Sequence, residues 1–211
     1  MPQSQTLPPS ASWATDRPAI LGEGPPGAPL MFVGEQPGDE EDRQGRPFVG
    51  PAGKLFDRAL EAAGIDRAAS YVTNAVKHFK YVQRGPRRLH QSPDAGDIKL
   101  YRPFLMAEVE SVAPRFLVAL GATATQALMG QKLPLLKLRG QVFEGPEGRP
   151  VLITVHPSYL LRLPDAALRK QEFERFVAEL GLAGQAARGE IRPTGQTAAQ
   201  ADGPPQGSLP L

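Results

Sequence analysis

The chain has no cysteine among its 211 residues, and this absence excludes several kinds of chemistry. Disulfides, thiolate nucleophiles and cysteine-held metal or iron–sulfur sites all need that side chain. No apolar stretch reaches membrane-spanning length, and no basic segment leads into an apolar one as in a signal peptide. The net charge is only +2, so a nucleic-acid footprint would require local clusters of charge. We therefore expect a cytoplasmic protein without a membrane span.

Glycine and proline are plentiful, with 22 and 23 residues, but they are unevenly distributed along the chain. Both ends are rich in them and lack the periodicity of a helix or a strand. We predict a flexible, proline-rich N-terminal tail over 1–29 and a disordered C-terminal tail over 182–211. One folded domain is expected between them, over 30–181, which is near the commonest domain size.

Strand and helix patterns alternate within the predicted domain. Short apolar or β-branched segments predict buried strands at 29–33, 71–76, 116–120 and 151–155. Apolar residues at helical spacing predict helices at 54–63, 97–112, 122–129 and 165–180. This alternation favours an α/β fold, a three-layer α/β/α sandwich with a central four-stranded parallel sheet.

Polar side chains stand where the predicted strands end. Glu35, Gln36 and Asp39 follow the first strand, Asn74 comes late in the second, and His156 follows the fourth. Functional groups in parallel α/β sheets gather past the carboxyl ends of the strands. An amide, a carboxylate and an imidazole meeting there would suit a planar heterocycle with alternating carbonyl and N–H groups.

Two other segments complete this pattern. Phe48 lies between Pro47 and Val49 and could stack on such a ring. The segment 75–90 contains five Lys or Arg residues and no acid, which suits a phosphate backbone. A base-binding pocket beside a backbone-binding strip is what a base-flipping enzyme needs.

Each feature also has a plainer explanation when taken alone. The acidic run 35–42 could be a solvated loop that places charge near a helix N-terminus, and the basic run could be an ordinary solvated loop. His156 could cap the following helix, and Asn74 could satisfy backbone groups at a strand end. The three histidines of the chain lack the spacing of a zinc site.

Four ordered motifs together resemble the uracil-DNA glycosylase superfamily. The first spans 34–42 and 47–53, the second is Tyr71-Val72-Thr73-Asn74-Ala75-Val76-Lys77-His78-Phe79, the third is His156-Pro157-Ser158, and the fourth is Arg87-Arg88-Leu89-His90. The Gln36 form of the first motif and the fourth motif are most similar to the UdgX-like branch, which is related to family 4. The resemblance covers about 30–180.

The resemblance implies an enzyme that flips uracil out of DNA, cleaves the N-glycosidic bond and forms a covalent link from His90 to C1′ of the abasic sugar. In that reading His90 attacks, Glu35 orients or polarises it, Asp39 positions water or the sugar, and His156 donates to uracil O2. The implied substrate-binding residues are Gln36, Phe48, Asn74, Gly34 and Ser158, and the implied DNA-backbone contacts are Lys77, Lys80, Arg87 and Arg88.

Uracil-containing DNA is the implied partner, with single strands preferred, and we expect a monomer. Three alternatives remain open on the residues: a hydrolytic uracil-DNA glycosylase that turns over, a non-catalytic binder of uracil or abasic sites, and a small-molecule α/β enzyme.

Close relatives hold a 4Fe–4S cluster with four cysteines, and this chain departs from them because it has none. Tyr101 stands where one of those cysteines would be expected. We therefore predict that the chain has no cofactor and no metal site, and that packing around Tyr101 takes the place of the cluster.

Overall fold

A central sheet flanked by helices forms the body of the protein, which was analysed as a computed structural model. The structure describes residues 17–190. Its elements, in chain order, are β1 (Leu30–Gly34), α1 (Asp39–Gln44), α2 (Pro51–Ala62), β2 (Tyr71–Asn74), β3 (Tyr81–Arg84), β4 (Arg87–His90), α3 (Ala95–Val112), β5 (Phe116–Leu120), α4 (Ala122–Met129), α5 (Leu135–Leu138), β6 (Val142–Glu144), β7 (Pro150–Thr154), α6 (Pro157–Leu161) and α7 (Ala166–Arg188).

The main sheet has the order β2-β1-β5-β7-β6. The four strands predicted from the sequence are mutually parallel, and β6 pairs antiparallel with β7 at one edge. The α/β prediction is therefore confirmed, but the sheet has five strands rather than four. A strand of three residues, such as β6, is too short to show a periodic signal.

The two faces of the sheet bury different sets of apolar side chains. Phe32 of β1 packs with Phe56 and Phe176 from α2 and α7 on one face. Met31 packs with Leu105 from α3 on the other face, because successive strand residues point to opposite sides. Burial of each such side chain contributes about 1.5–3 kcal/mol. No helix within residues 17–190 is long and apolar enough to cross a membrane.

The predicted N-terminal tail is ordered in part. Ile20 is buried, its amide donates to the carbonyl of Lys77, and Glu23 bridges to β2. The prediction of a flexible tail is therefore wrong for residues 17–29, which pack on the edge of the sheet. Their Gly- and Pro-rich composition shows no strand or helix periodicity, so the sequence did not indicate this packing. The remainder of that tail, 1–16, lies outside the described residues.

The last helix is longer than its pattern predicted. Residues 182–188 continue α7, so the predicted boundary at 181 and the predicted disorder are wrong for this stretch. Ala183 and Ala187 are buried one turn apart, on a face that small side chains allow to pack closely. Alanine and glycine carry little hydrophobic periodicity, which explains the early predicted end. Residues 191–211 lie outside the described part of the chain.

The basic segment forms a hairpin that the sequence did not predict. Strands β3 and β4 pair antiparallel with Tyr81 opposite His90, as a separate two-stranded sheet. Gly85 begins the two-residue turn with φ of +55°, and Pro86 follows. Proline cannot adopt a positive φ, which excludes a type I′ turn, and glycine at the first turn position is typical of type II′. His90 is the last residue of the hairpin.

Candidate active site

A cavity of about 810 Å³ opens at the carboxyl edge of the parallel strands. The structure brings together eight of the residues predicted to form the site. They are Glu35, Gln36, Asp39, Phe48, Asn74, His90, His156 and Ser158. Parallel strands end at one edge of the sheet, so residues far apart in sequence meet there. The hairpin adds His90 from the side.

Glu35 directly follows β1 and divides its two oxygens between two partners. Oε1 lies 3.2 Å from His90 Nε2, and Oε2 accepts a 2.7 Å hydrogen bond from the Thr123 hydroxyl. Burial alone would raise the pKa of Glu35, but these two hydrogen bonds and the nearby histidines lower it below its ordinary value. The ionised Glu35 accepts a hydrogen bond from the Nε2–H of His90.

His156 is the N-cap of α6, as one interpretation of the sequence expected. Its Nδ1 accepts from the Ser158 amide at 3.2 Å and lies 2.8 Å from the Ser158 hydroxyl. The hydrogen of the neutral ring is therefore on Nε2. Burial lowers the pKa of His156 to about 4, although the negative charge of Glu35 acts to raise it. His156 is thus a neutral N–H donor at pH 7 in the wall of the cavity.

Gly34 allows an amide and an aromatic ring to meet beside the cavity. A Cβ at this position would lie 2.4 Å from Asn74 Oδ1 and 2.6 Å from Phe48 Cζ. Phe48 itself has φ of +55°, a conformation that costs a non-glycine residue free energy. The turn also depends on Gly53, where a Cβ would lie 1.9 Å from the Phe48 carbonyl oxygen. The Phe48 and His156 ring centres are 6.1 Å apart.

Gln36 uses its amide to hold the hairpin. Its Oε1 accepts from the Lys80 amide at 3.1 Å, and its Nε2 donates to the carbonyls of Lys80 and Gln91 at 3.2 and 2.9 Å. Lys80 precedes β3 and Gln91 follows β4, so one side chain ties both ends of the hairpin to the loop after β1. Gln36 lines the cavity, and its contact with a base stays a prediction.

Arg88 docks the hairpin on α1. Its guanidinium forms ion pairs with Asp42, at 2.5 Å, and with Asp39. It also lies over the rings of Phe79 and Tyr81, at 5.3 and 5.1 Å from their centres. The resemblance implied that Arg88 contacts DNA phosphates, and in this structure its charge is committed to these internal partners. Asp39 lines the cavity while paired in this way, and its role toward water or sugar stays a prediction.

Lys77 lies in the protein interior. Its side chain has no exposed surface, and Nζ lies 2.7 Å from Thr73 Oγ1, the Asn74 carbonyl and Glu108 Oε2. The predicted contact with the DNA backbone is therefore wrong for Lys77, because its ammonium cannot reach a phosphate. The buried ion pair instead supports the main chain of Asn74 from below the strand end.

The other two predicted backbone contacts lie near the surface. Lys80 is ion-paired with Asp97 at 2.5 Å and Asp94 at 3.0 Å, at the start of α3. Arg87 is exposed on the hairpin, opposite Arg84 and next to the turn. Of the four cations proposed for this role, Arg87 is the one whose residue is exposed.

The acidic run places four charges in the first turn of α1, as the plainer interpretation expected, but Glu41 and Asp42 are buried, so the run is not a solvated loop. Glu41 accepts from the amides of Gly38, at 3.1 Å, and Gly50, at 2.9 Å, and so joins the two loops that shape the cavity. Glu41, three residues after the N-cap Gly38, forms the half of a capping box that reaches back to the N-cap amide, whereas Gly38 has no side chain to supply the other half.

Sequence reasoning also missed residues that no local pattern identifies. Thr123 reaches Glu35 only because β1 and β5 are neighbours in the sheet. Leu136 and Leu161 line the cavity mouth with exposed apolar surface, from α5 and α6 respectively. Isolated exposed leucines are common in proteins, so the sequence alone could not distinguish them.

The position expected for a cluster cysteine holds a buried Tyr101. Its hydroxyl lies 2.7 Å from His78 Nδ1, and burial raises the pKa of Tyr101 to about 12. Across residues 17–190, no group of three or more His, Cys, Asp or Glu side chains could hold a metal ion. A tyrosine hydroxyl and a histidine, without thiolates, do not fit the ligand set of a 4Fe–4S cluster.

The fold and the cavity define a class of protein. It is a three-layer α/β protein whose ligand cavity lies past the carboxyl ends of parallel strands, with a basic hairpin beside it. The chain belongs to the uracil-DNA glycosylase superfamily: the model of the family described as "Uracil DNA glycosylase superfamily" matches residues 21–181.

Several curated proteins are similar over most of this chain. The type-4 uracil-DNA glycosylase of Thermotoga maritima is 40% identical over 161 residues, which are 76% of this chain and 78% of that protein. The type-4 enzyme of Pyrobaculum aerophilum is 36% identical over 167 residues, 76% and 80% of the two chains. That of Sulfurisphaera tokodaii is 33% identical over 178 residues, 81% and 78%.

Proposed function

We propose that this chain is a uracil-DNA glycosylase that becomes covalently joined to its DNA through His90. Membership of the superfamily and the type-4 relatives support uracil excision. The contact of 3.2 Å between Glu35 and His90, inside the cavity that also contains Asn74 and His156, carries the proposal of covalent capture.

Recognition of the base is assigned to the sheet side of the cavity. The Asn74 amide offers both a donor and an acceptor to the edge of uracil, which likewise has both. The Phe48 ring provides an apolar wall, and Ser158 holds His156 in the tautomer with hydrogen on Nε2. As the base leaves, negative charge grows on its O2, and the His156 N–H stabilises it there.

The covalent step follows from the state of His90. The C1′–N1 bond breaks and its electron pair leaves with uracil, while the ring nitrogen of His90 that keeps a lone pair bonds to C1′. The ring becomes a positively charged glycosyl-imidazolium, and the ionised Glu35 stabilises it or takes its remaining N–H proton. Uracil leaves as the anion and takes a proton from solvent.

The two features that resemble the UdgX-like branch are connected in this fold. Gln36 bonds the main chain at both ends of the hairpin, and the hairpin carries His90. A misplacement of about 1 Å can cost a reacting group about 100-fold in rate, so a fixed hairpin favours capture over attack by water. We therefore assign the chain to that branch.

The remaining parts of the proposal concern partners and cofactor. Arg87 contacts the DNA backbone, Asp39 positions the sugar or a water, and single strands are preferred because they need no unpairing. The protein acts as a monomer and without an iron–sulfur cluster. Iron analysis of the purified chain tests the last point: stoichiometric iron would contradict it.

A denaturing gel tests the central proposal. The protein is incubated with a labelled single-stranded oligonucleotide that carries one uracil, and half of each sample is then treated with alkali. We expect a band resistant to heat and detergent, heavier by about one chain of 22.7 kDa, which is absent with His90→Ala.

The other outcomes identify the alternatives. Alkali-dependent strand cleavage without the heavier band would indicate a hydrolytic glycosylase with turnover. Salt-sensitive binding without release of uracil would indicate a non-catalytic binder. A heavier band that persists in His90→Ala would assign the link to another nucleophile.

A further inference from the structure

The Thr123 hydroxyl bonds Glu35 across two elements that are distant in sequence. Glu35 follows β1, and Thr123 lies in the first turn of α4, which follows β5. Strands β1 and β5 are adjacent and parallel, with Val33 opposite Ala119, so the residues after them meet at the cavity. The hydroxyl of Thr123 donates to Glu35 Oε2 at 2.7 Å and is largely buried.

The carboxylate of Glu35 is held from both sides. Among residues 17–190, His90 and Thr123 are the side chains that hydrogen-bond it, one at each oxygen. A glutamate side chain has three rotatable bonds, so a carboxylate anchored at one oxygen only would sample several rotamers. The second anchor directs Oε1 at the ring of His90, whose side chain is 48% exposed and has few other constraints.

We propose that Thr123 is a positioning residue, which fixes the Glu35 carboxylate against His90. This inference rests on the proposed function, since it explains how His90 is prepared for attack. Thr123 does not touch the reacting atoms, and it acts through Glu35. Loss of its hydroxyl removes one of the interactions that favour the ionised carboxylate, so the proton affinity of Glu35 rises.

Three variants separate the hydroxyl from the packing of α4. Thr123→Val keeps the shape of the side chain and removes the hydroxyl, whereas Thr123→Ser keeps the hydroxyl. Thr125→Val is the matched control, because Thr125 lies on the same helix and donates instead to the Gly121 carbonyl at 2.8 Å. The carboxyl carbon of Glu35 is titrated by NMR in the full chain without DNA.

We expect Glu35 in Thr123→Val to titrate about one pH unit higher than in the wild type, a tenfold gain in proton affinity. Thr123→Ser and Thr125→Val should titrate like the wild type. Under single-turnover conditions, the rate of adduct formation should fall in Thr123→Val only, because a carboxylate with one anchor no longer holds His90 in place, and Thr123→Ser should restore the rate.

Several results would overturn the inference. These are an unchanged Glu35 titration in Thr123→Val, an equal rise in Thr125→Val, or a failure of Thr123→Ser to restore the wild-type value. Failure of the proposed function looks different: the wild type would form no adduct, while the titration in the DNA-free protein would still report on Thr123.

Discussion

The two sides of the cavity are built in different ways. On the sheet side, Asn74 is the last residue of β2 and His156 comes two residues after β7, and backbone hydrogen bonds between these strands and their neighbours fix where the two residues stand. On the other side, His90 ends a two-stranded hairpin whose residues are mostly exposed. The residues proposed to bind the base are therefore positioned by the core, whereas the proposed nucleophile is positioned by a few polar contacts.

This difference has an energetic basis. An isolated two-stranded hairpin is only marginally stable in water, so β3 and β4 need anchors outside themselves. Gln36 supplies three hydrogen bonds at the open end, and Arg88 supplies ion pairs to α1. Segments with few buried apolar contacts open at a lower free energy than core strands. The position of His90 should therefore be easier to disturb by mutation than the binding of the base.

The largest effect is expected on the sheet side. His156→Ala removes the N–H that we propose stabilises the leaving base, and both uracil release and adduct formation should fall about 10²–10³-fold, because both require the same bond to break. Single-turnover assays of the two products measure this. If one product fell and the other did not, His156 would not act at the common step.

Removal of the cation beneath Asn74 should mainly affect stability. Lys77→Met leaves the half-buried Glu108 without its cation, and the free energy of unfolding should fall by about 3 kcal/mol. Urea denaturation measures this, and the double variant with Glu108→Gln should recover part of the loss. Wild-type stability of Lys77→Met would show that the pair does not support the strand end.

Acid should weaken the sheet side through His156. Its pKa of about 4 in the folded chain lies below the ordinary 6.5, so the unfolded state binds more protons between these values and stability rises with pH. From pH 6.5 down to pH 5 the free energy of unfolding should fall by about 2 kcal/mol. The lowered pKa of His78 acts in the same direction.

Urea denaturation at several pH values checks this slope. His156→Gln should flatten it and retain the part that comes from His78. The pKa of Glu35 is lowered below 4.5, so its contribution to the free energy of unfolding is lost only at lower pH and does not change the slope between pH 6.5 and pH 5. An equally steep slope in His156→Gln would contradict the assignment.

A smaller, selective effect is expected on the hairpin side. Gln36→Met removes the three hydrogen bonds that hold the hairpin, and the ratio of adduct to released uracil should fall about tenfold, because a loosened hairpin misplaces His90. Gln83→Met is the matched control, since Gln83 lies at the exposed end of the hairpin. An equal fall of both products would indicate that Gln36 acts on the base instead.

The smallest effect concerns the surface charge of the hairpin. Arg87→Gln should lower the dependence of log K on log[salt] for single-stranded DNA by about 0.7, the value for one phosphate contact. Lys77→Met should leave this slope unchanged because Lys77 is buried. Binding titrations at several salt concentrations measure the slope for both variants. An unaltered slope in Arg87→Gln would show that Arg87 does not contact the DNA backbone.

Much of the fold could be predicted because buried parallel strands are continuous apolar segments. The observed β5 coincides with the predicted 116–120 and α4 with 122–129, where glycines mark both ends of the helix. The hairpin could not be predicted in the same way. Its strands alternate basic, polar and apolar residues on a half-exposed surface, and their pairing is decided by the turn at Gly85 and by anchors elsewhere in the chain.

The site shows the same division. The sequence by itself determined which residues follow the buried strands, since hydrophobic runs end where polar ones begin, and these residues do line the cavity. Only the tertiary structure decided what each polar group bonds to: it buried Lys77 under Asn74, turned Arg88 toward α1 and brought Thr123 to Glu35. Charge and residue type are local properties, whereas burial and hydrogen-bond partners depend on which elements become neighbours in the folded chain.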